Sequence, residues 1–245
     1  MSVLVLALVA GAVIGLALGA LGGGGSVLAV PALIYLLGFT PAAATTASLI
    51  IVTATSTTAL YAHTRDGNVA WKTGALFAAA GIVPAFLTGA VAGRLPQAVL
   101  TAAFALIAAL AALRMLRPSA AEPPRRIRAG KAAGVGAGLG AVTGLLGVGG
   151  GFLAVPALVG VLGLRMRQAV GTSLLVITVN ALAALAARTG TGLHWEVIGP
   201  FTGAAILGAW DGKRLAAKIS GTTLQKIFAG LLLAVAAFML ADVIV

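Results

Sequence analysis

Residues 21–33 read Leu21-Gly22-Gly23-Gly24-Gly25-Ser26-Val27-Leu28-Ala29-Val30-Pro31-Ala32-Leu33, and residues 146–158 read Leu146-Gly147-Val148-Gly149-Gly150-Gly151-Phe152-Leu153-Ala154-Val155-Pro156-Ala157-Leu158, 125 positions later. Each run interrupts a long apolar stretch with flexible backbone. Inside a bilayer, unpaired backbone is tolerated only where protein or water covers it. Matching interruptions in two halves of one chain therefore point to a solute-handling site.

Composition sets the setting. The chain has 245 residues, 60% of them hydrophobic and 9% charged, with a mean hydropathy of +1.12. A soluble domain carries about 25% charged residues, so this is an integral membrane protein with little room for a soluble domain. Strand-like alternation is missing and Ala, Leu and Gly dominate, which predicts helices rather than a barrel. With no Cys, disulfides, thiol catalysis and Cys-ligated metal are excluded. No basic residue precedes the first apolar stretch, so no cleaved leader is expected and residues 1–21 stay. The net charge of +11 reads as basic cytoplasmic loops that fix orientation, not as a nucleic-acid surface.

Apolar segments run over 2–21, 26–38, 41–62, 71–93, 96–114, 131–146, 152–163, 166–187, 196–212 and 222–243. Pro118, Pro123, Pro124, Arg125, Arg126 and Arg128 mark a basic linker at 115–130, which divides the chain into membrane repeats 1–114 and 131–245. At the same offset Gly11, Gly15, Gly19, Gly38, Ser48 and Thr53 meet Gly136, Gly140, Gly144, Gly163, Ser173 and Thr178. This is an internal repeat of five helical pieces. The pieces after the glycine runs reach only about 20 Å, against a hydrocarbon core of roughly 30 Å. If each broken pair turns back to the side it entered from, 14 of the Lys and Arg fall inside and 2 outside; if each crosses once, the split is 9 to 7. The positive-inside rule favours the first arrangement, with the linker cytoplasmic and the second half inverted relative to the first. Ten crossings, and six crossings with two re-entrant hairpins, both satisfy it.

The glycine turns suit an anion. A helix start offers free N–H groups and roughly half a positive charge. Bare backbone at Gly24, Gly25, Ser26, Gly149, Gly150 and Gly151 lets a small anion be held without a buried lysine. Pro31 and Pro156 are expected near the first turn of the short helices, where a missing N–H matters least. The stripes Gly11/Gly15/Gly19 and Gly136/Gly140/Gly144 read instead as close helix packing.

Hydroxyl-rich helices follow each short arm. Ser48 and Thr55 share a helical face, as do Ser173 and Asn180, seven residues apart in each case. Together with Thr53 and Thr178 they either complete a cavity between the hairpins or bond their own helices. Asn180 is the strongest of them, because its amide needs partners in lipid. Asp211 and His63 are candidates for coupling, although Asp211 also has Arg214 at i+3 for an ordinary ion pair. Trp71, Trp195 and Tyr61 read as interfacial anchors. No His/Glu cluster has metal spacing, and neither a G-x-S-x-G nor a P-loop occurs, so no enzyme, metal or cofactor is expected.

The doubled pattern G-xxx-G-xxx-G-x-x-G-x-G-G-x-x-x-x-V-P-x-L, from Gly11 to Leu33 and from Gly136 to Leu158, resembles the TauE/SafE family of sulfite and organosulfur-anion exporters. The Gly67…Trp71 and Gly192…Trp195 loops and the Leu100…Phe104 and Leu224…Phe228 helices are similar to that family as well. The resemblance implies a multi-pass permease of a bacterial-type cytoplasmic membrane. Its partners would be a small inorganic or organic sulfur anion, the lipid bilayer and, as coupling ion, protons; oligomeric state stays open. The resulting expectation is an all-α protein of two inverted repeats, each a glycine-broken helical pair followed by three transmembrane helices. It would export a small sulfur anion by alternating access, with a passive anion channel or a non-transporting membrane scaffold as alternatives.

Overall fold

A computed structural model describes residues 3–91, 97–116, 129–146, 151–186 and 194–244. Among them run ten α-helices and no strand: α1 (Val3–Leu21), α2 (Gly24–Pro31), α3 (Pro41–Arg65), α4 (Trp71–Val91), α5 (Gln97–Leu116), α6 (Ala129–Leu146), α7 (Gly151–Gly160), α8 (Met166–Ala186), α9 (Trp195–Ala217) and α10 (Gly221–Ile244). Five of them are long and apolar enough to cross a membrane.

The breaks differ from expectation in one respect. Gly24, Gly25 and Gly151 take helical angles, so α2 and α7 start early and Pro31 and Pro156 fall beyond the first turn. Each proline removes an N–H that would bond one turn back. After Pro31 the chain widens into a π-helical turn, Ala32–Leu36, a usual accommodation of a disturbed helix ladder.

Backbone-to-backbone packing organises the bundle. Gly11, Gly15 and Gly19 face the backbone of Phe201, Ala205 and Ala209, and Gly136, Gly140 and Gly144 face that of Phe77, Gly81 and Ala85. A Cβ at any of the six would overlap the facing carbonyl oxygen. Without a hydrophobic driving force between helices in lipid, such close approach is what holds them together. The two sets of contacts are copies of each other: α1 lies along α9 as α6 lies along α4.

Helix directions follow from these contacts. Residue numbers rise together along α1/α9 and along α4/α6, so both pairs are parallel. Lys213, near the end of α9, donates to the carbonyl of Ala62 at 2.6 Å and pairs with Asp66 at 2.8 Å, so α1, α3 and α9 run toward one end. There the amide of Ala70 donates to Thr172 Oγ1 at 2.9 Å, Arg167 donates to the carbonyl of Ala217 at 3.0 Å, and Gln225 donates to the carbonyl of Met115 at 2.6 Å. The helices α4, α6, α8 and α10 begin at this end and α5 finishes there. Arg65, Lys72, Arg114, Arg165, Arg167, Lys213, Arg214, Lys218 and Lys226 all lie near it, the end that the positive-inside rule assigns to the cytoplasm. Thus α1, α3 and α9 run toward this end, whereas α4, α6, α8 and α10 run away from it.

The first broken pair doubles back. Gly25 sits against Leu18 and Ile14 of α1, and the arm ends at the far face, where Phe39 meets His194 edge-on at 5.5 Å. Both arms close alike: Phe39 N–H donates to the Leu33 carbonyl at 3.0 Å and Leu164 N–H to the Leu158 carbonyl at 2.9 Å. Leu33, Leu158, Phe77, Phe201 and Phe228 fill the interior, whereas Val13, Leu87, Leu110 and Leu207 point outward as a belt suited to lipid.

Candidate functional site

The first turn depends on one residue. Gly22 adopts φ +70°, a left-handed backbone that side chains other than glycine's resist. A Cβ there would fall on Ser173 Oγ and 3.1 Å from the Val170 carbonyl oxygen. The hairpin tip therefore lies against the second turn of α8.

From this turn α2 presents Gly24, Gly25 and Ser26 as its first three residues, the positions whose N–H groups precede the first intrahelical bond. Gly25 has a further duty that sequence reading did not assign: its bare Cα is what lets α2 pack on Leu18. Ser26 is buried and its hydroxyl donates to the Gly23 carbonyl at 2.8 Å. A Cβ built on Gly151 would stand 3.0 Å from Ser26 Oγ and closer still to the Ile177 side chain. Ser26 and Gly151 are one repeat offset apart, so the starts of the two short helices touch at equivalent residues. Gly149 and Gly150 lie outside the described residues.

The hydroxyls divide into two sets. Ser48, Thr55 and Ser173 donate to the carbonyls of Thr45 at 3.0 Å, Ile51 at 2.7 Å and Val170 at 2.7 Å, the local bonding common in membrane helices. Thr178 instead reaches across to α3, its Oγ1 2.8 Å from Ser56 Oγ, and also donates to the Leu174 carbonyl at 2.8 Å. Thr53 Oγ1, one turn before Ser56, is buried without a partner. Ser56 is one hydroxyl among several at 53–58 in the sequence, and its repeat counterpart is Ala181; only the crossing of α3 and α8 singles it out by bringing it to Thr178.

Asn180 stands apart from the hairpin contact. It is 1% exposed, lies against Gly81, and neither its amide nitrogen nor its amide oxygen has a partner. A buried, unmatched amide is costly, so the position is of a kind that function retains. His63 is also buried, its Nε2 3.2 Å from the carbonyl oxygen of Gly19 in the last turn of α1. Asp211 is separate from all of these: its side chain is 68% exposed and lies 3.5 Å from Arg214, the ordinary pair its spacing allowed.

The contact thus joins two helix starts and the Ser26 hydroxyl, with the Asn180 amide apart from it, and no Lys or Arg side chain is buried among the described residues. Such a donor set stabilises negative charge through backbone N–H groups and helix dipoles.

Comparison with known proteins gives a consistent result. A model of the sulfite exporter TauE/SafE family matches residues 7–239. A probable membrane transporter protein of Xylella fastidiosa strain 9a5c is 33% identical over 247 residues, covering 97% of this chain and 95% of that protein. Its counterpart in strain Temecula1 is 32% identical over the same length and coverage. No solved structure matches the chain significantly.

Proposed function

The chain belongs to the TauE/SafE family of sulfite exporters, and from that premise we propose that it is a secondary transporter exporting a small sulfur oxyanion, of the sulfite or sulfonate class, by alternating access. Repeats 1–114 and 131–245 are the units that rock, related as an inverted pair. The anion is held where the short helices start, by N–H groups near Gly24, Gly25, Ser26, Gly149, Gly150 and Gly151. The hydroxyls of Ser48, Thr53, Thr55, Ser173 and Thr178 and the amide of Asn180 complete the shell as the halves move.

One observation carries this reading: Ser26 and Gly151, equivalent residues of the two glycine breaks, lie side by side. A helix start in each half, brought to one point, is the arrangement inverted-repeat transporters use for a solute. One half rocking against the other around that point would then expose the anion to each side in turn.

The test is flux in proteoliposomes. The protein is expected to move sulfite or a sulfonate against its gradient when a second gradient is imposed, with sulfate and chloride as competitors. Dissipation alone, with no uphill movement, would assign a channel. Gly151→Leu should abolish flux while the solubilised protein still elutes as a folded species, because Leu would fill the point of contact.

A further inference from the structure

Among the described residues His63 is the only buried titratable side chain, 5% exposed. Its Nε2 faces the Gly19 carbonyl at 3.2 Å. A carbonyl oxygen only accepts, so Nε2 carries a hydrogen in either protonation state. The proton that comes and goes therefore belongs to Nδ1, and Nδ1 is buried with no partner.

Among the described residues nothing receives an N–H from Nδ1. From α1 the Gly19 carbonyl faces the ring, and from α8 Gly171 packs on its Cβ. The charged groups nearby are Asp66 and Lys213. These already bind each other at 2.8 Å, and Lys213 also donates to the Ala62 carbonyl. Arg65 turns outward, its guanidinium carbon 5.8 Å from the Tyr61 ring centre. The ring is nevertheless tied to the first glycine break: Gly19 precedes Gly22 by three residues, and Gly171 precedes Ser173, which abuts Gly22, by two.

We propose that Nδ1 of His63 is the proton-binding atom of the transport cycle, and that it holds its proton together with the solute anion, which accepts the hydrogen bond the protein does not supply. This rests on the anion-transport reading above. The step is an acid–base association: neutral imidazole takes one proton to give imidazolium, the anion supplies the counter-charge, and both leave together. Proton and anion binding then strengthen each other equally, as linkage requires. A monovalent anion moves with its proton without net charge, so its flux is indifferent to an imposed membrane potential. Asp211, exposed and paired with Arg214, has no part in the step.

The experiment is calorimetry of the full-length protein in detergent, titrated in turn with methanesulfonate, sulfate and sulfite, in two buffers of different ionisation enthalpy. The expected result with wild type is uptake of about one proton per methanesulfonate or sulfate, anions that do not themselves titrate near neutral pH, and an affinity that weakens by up to about tenfold per pH unit as pH rises through the titration; sulfite, which takes up a proton itself, reports binding alone. His63→Gln should bind at all pH values as weakly as wild type does at high pH, with no proton uptake. Anion binding without proton uptake in wild type, or uptake retained in His63→Gln, would overturn the assignment and leave the transport reading standing. Failure of all three anions to bind would sink the transport reading, and this one with it. Should His63→Gln not fold, the two-buffer measurement on wild type decides alone.

Discussion

Replacing Gly22 by alanine tests the geometry of the first break directly. Gly22, Gly38 and Gly67 share a left-handed backbone, with φ of +70°, +70° and +68°. A methyl group on Gly38 or Gly67 meets nothing within 4 Å, whereas on Gly22 it meets Ser173 Oγ and lies 3.1 Å from the Val170 carbonyl oxygen and 3.3 Å from its Cα. The conformational penalty alone is about 1–2 kcal/mol at any of the three. Overpacking adds about 1–3 kcal/mol where the neighbours cannot withdraw. Gly38→Ala and Gly67→Ala should therefore lose about 1–2 kcal/mol, and Gly22→Ala about 2–5 kcal/mol. Equilibrium unfolding of the three variants in mixed micelles measures the difference. Adding Ser173→Ala to Gly22→Ala should return part of the loss and not all, because the Val170 backbone stays. If Gly22→Ala proves no less stable than Gly38→Ala, the hairpin tip does not rest on α8 and the placement of Ser26 against Gly151 falls with it.

Three further outcomes follow from the same contacts. Gly140→Ala drives a methyl into the Gly81 backbone and should lower the yield of folded protein sharply in detergent chromatography, whereas Gly203→Ala, which meets nothing within 4 Å, should be neutral or stabilising by about 0.5–1 kcal/mol. Asn180→Leu removes two unpartnered buried polar atoms for a side chain of similar size, so the melting temperature should hold or rise while flux per folded molecule falls; unchanged flux would remove Asn180 from the site. Asp211→Asn alters an exposed pair and should leave both stability and flux as they were, since such pairs contribute little; loss of proton-linked flux in this variant would restore Asp211 as a coupling residue.

The helices and the membrane setting were legible in the amino-acid order, because lipid imposes one-dimensional rules. Apolar length sets a crossing, Lys and Arg set its direction, and the glycine run after Leu21 ends α1, although Gly24 and Gly25 already belong to α2. The repeat likewise pointed to Ser26 and Gly151 as equivalent positions, and the two lie in contact. What no such rule could supply is which surfaces meet. The glycine stripe of α1 fits α9, in the other half, because the backbone of Phe201, Ala205 and Ala209 passes there. Thr178 bonds Ser56, which has no hydroxyl counterpart in the repeat, because α3 and α8 cross at that point. Asp211 turns outward while His63 is enclosed with a bare Nδ1, although both are ionisable residues near the ends of apolar segments. Periodicity and composition act along the chain and so fix each helix and its orientation; burial and partnership depend on which helix lies alongside, and that is settled only when both halves have packed.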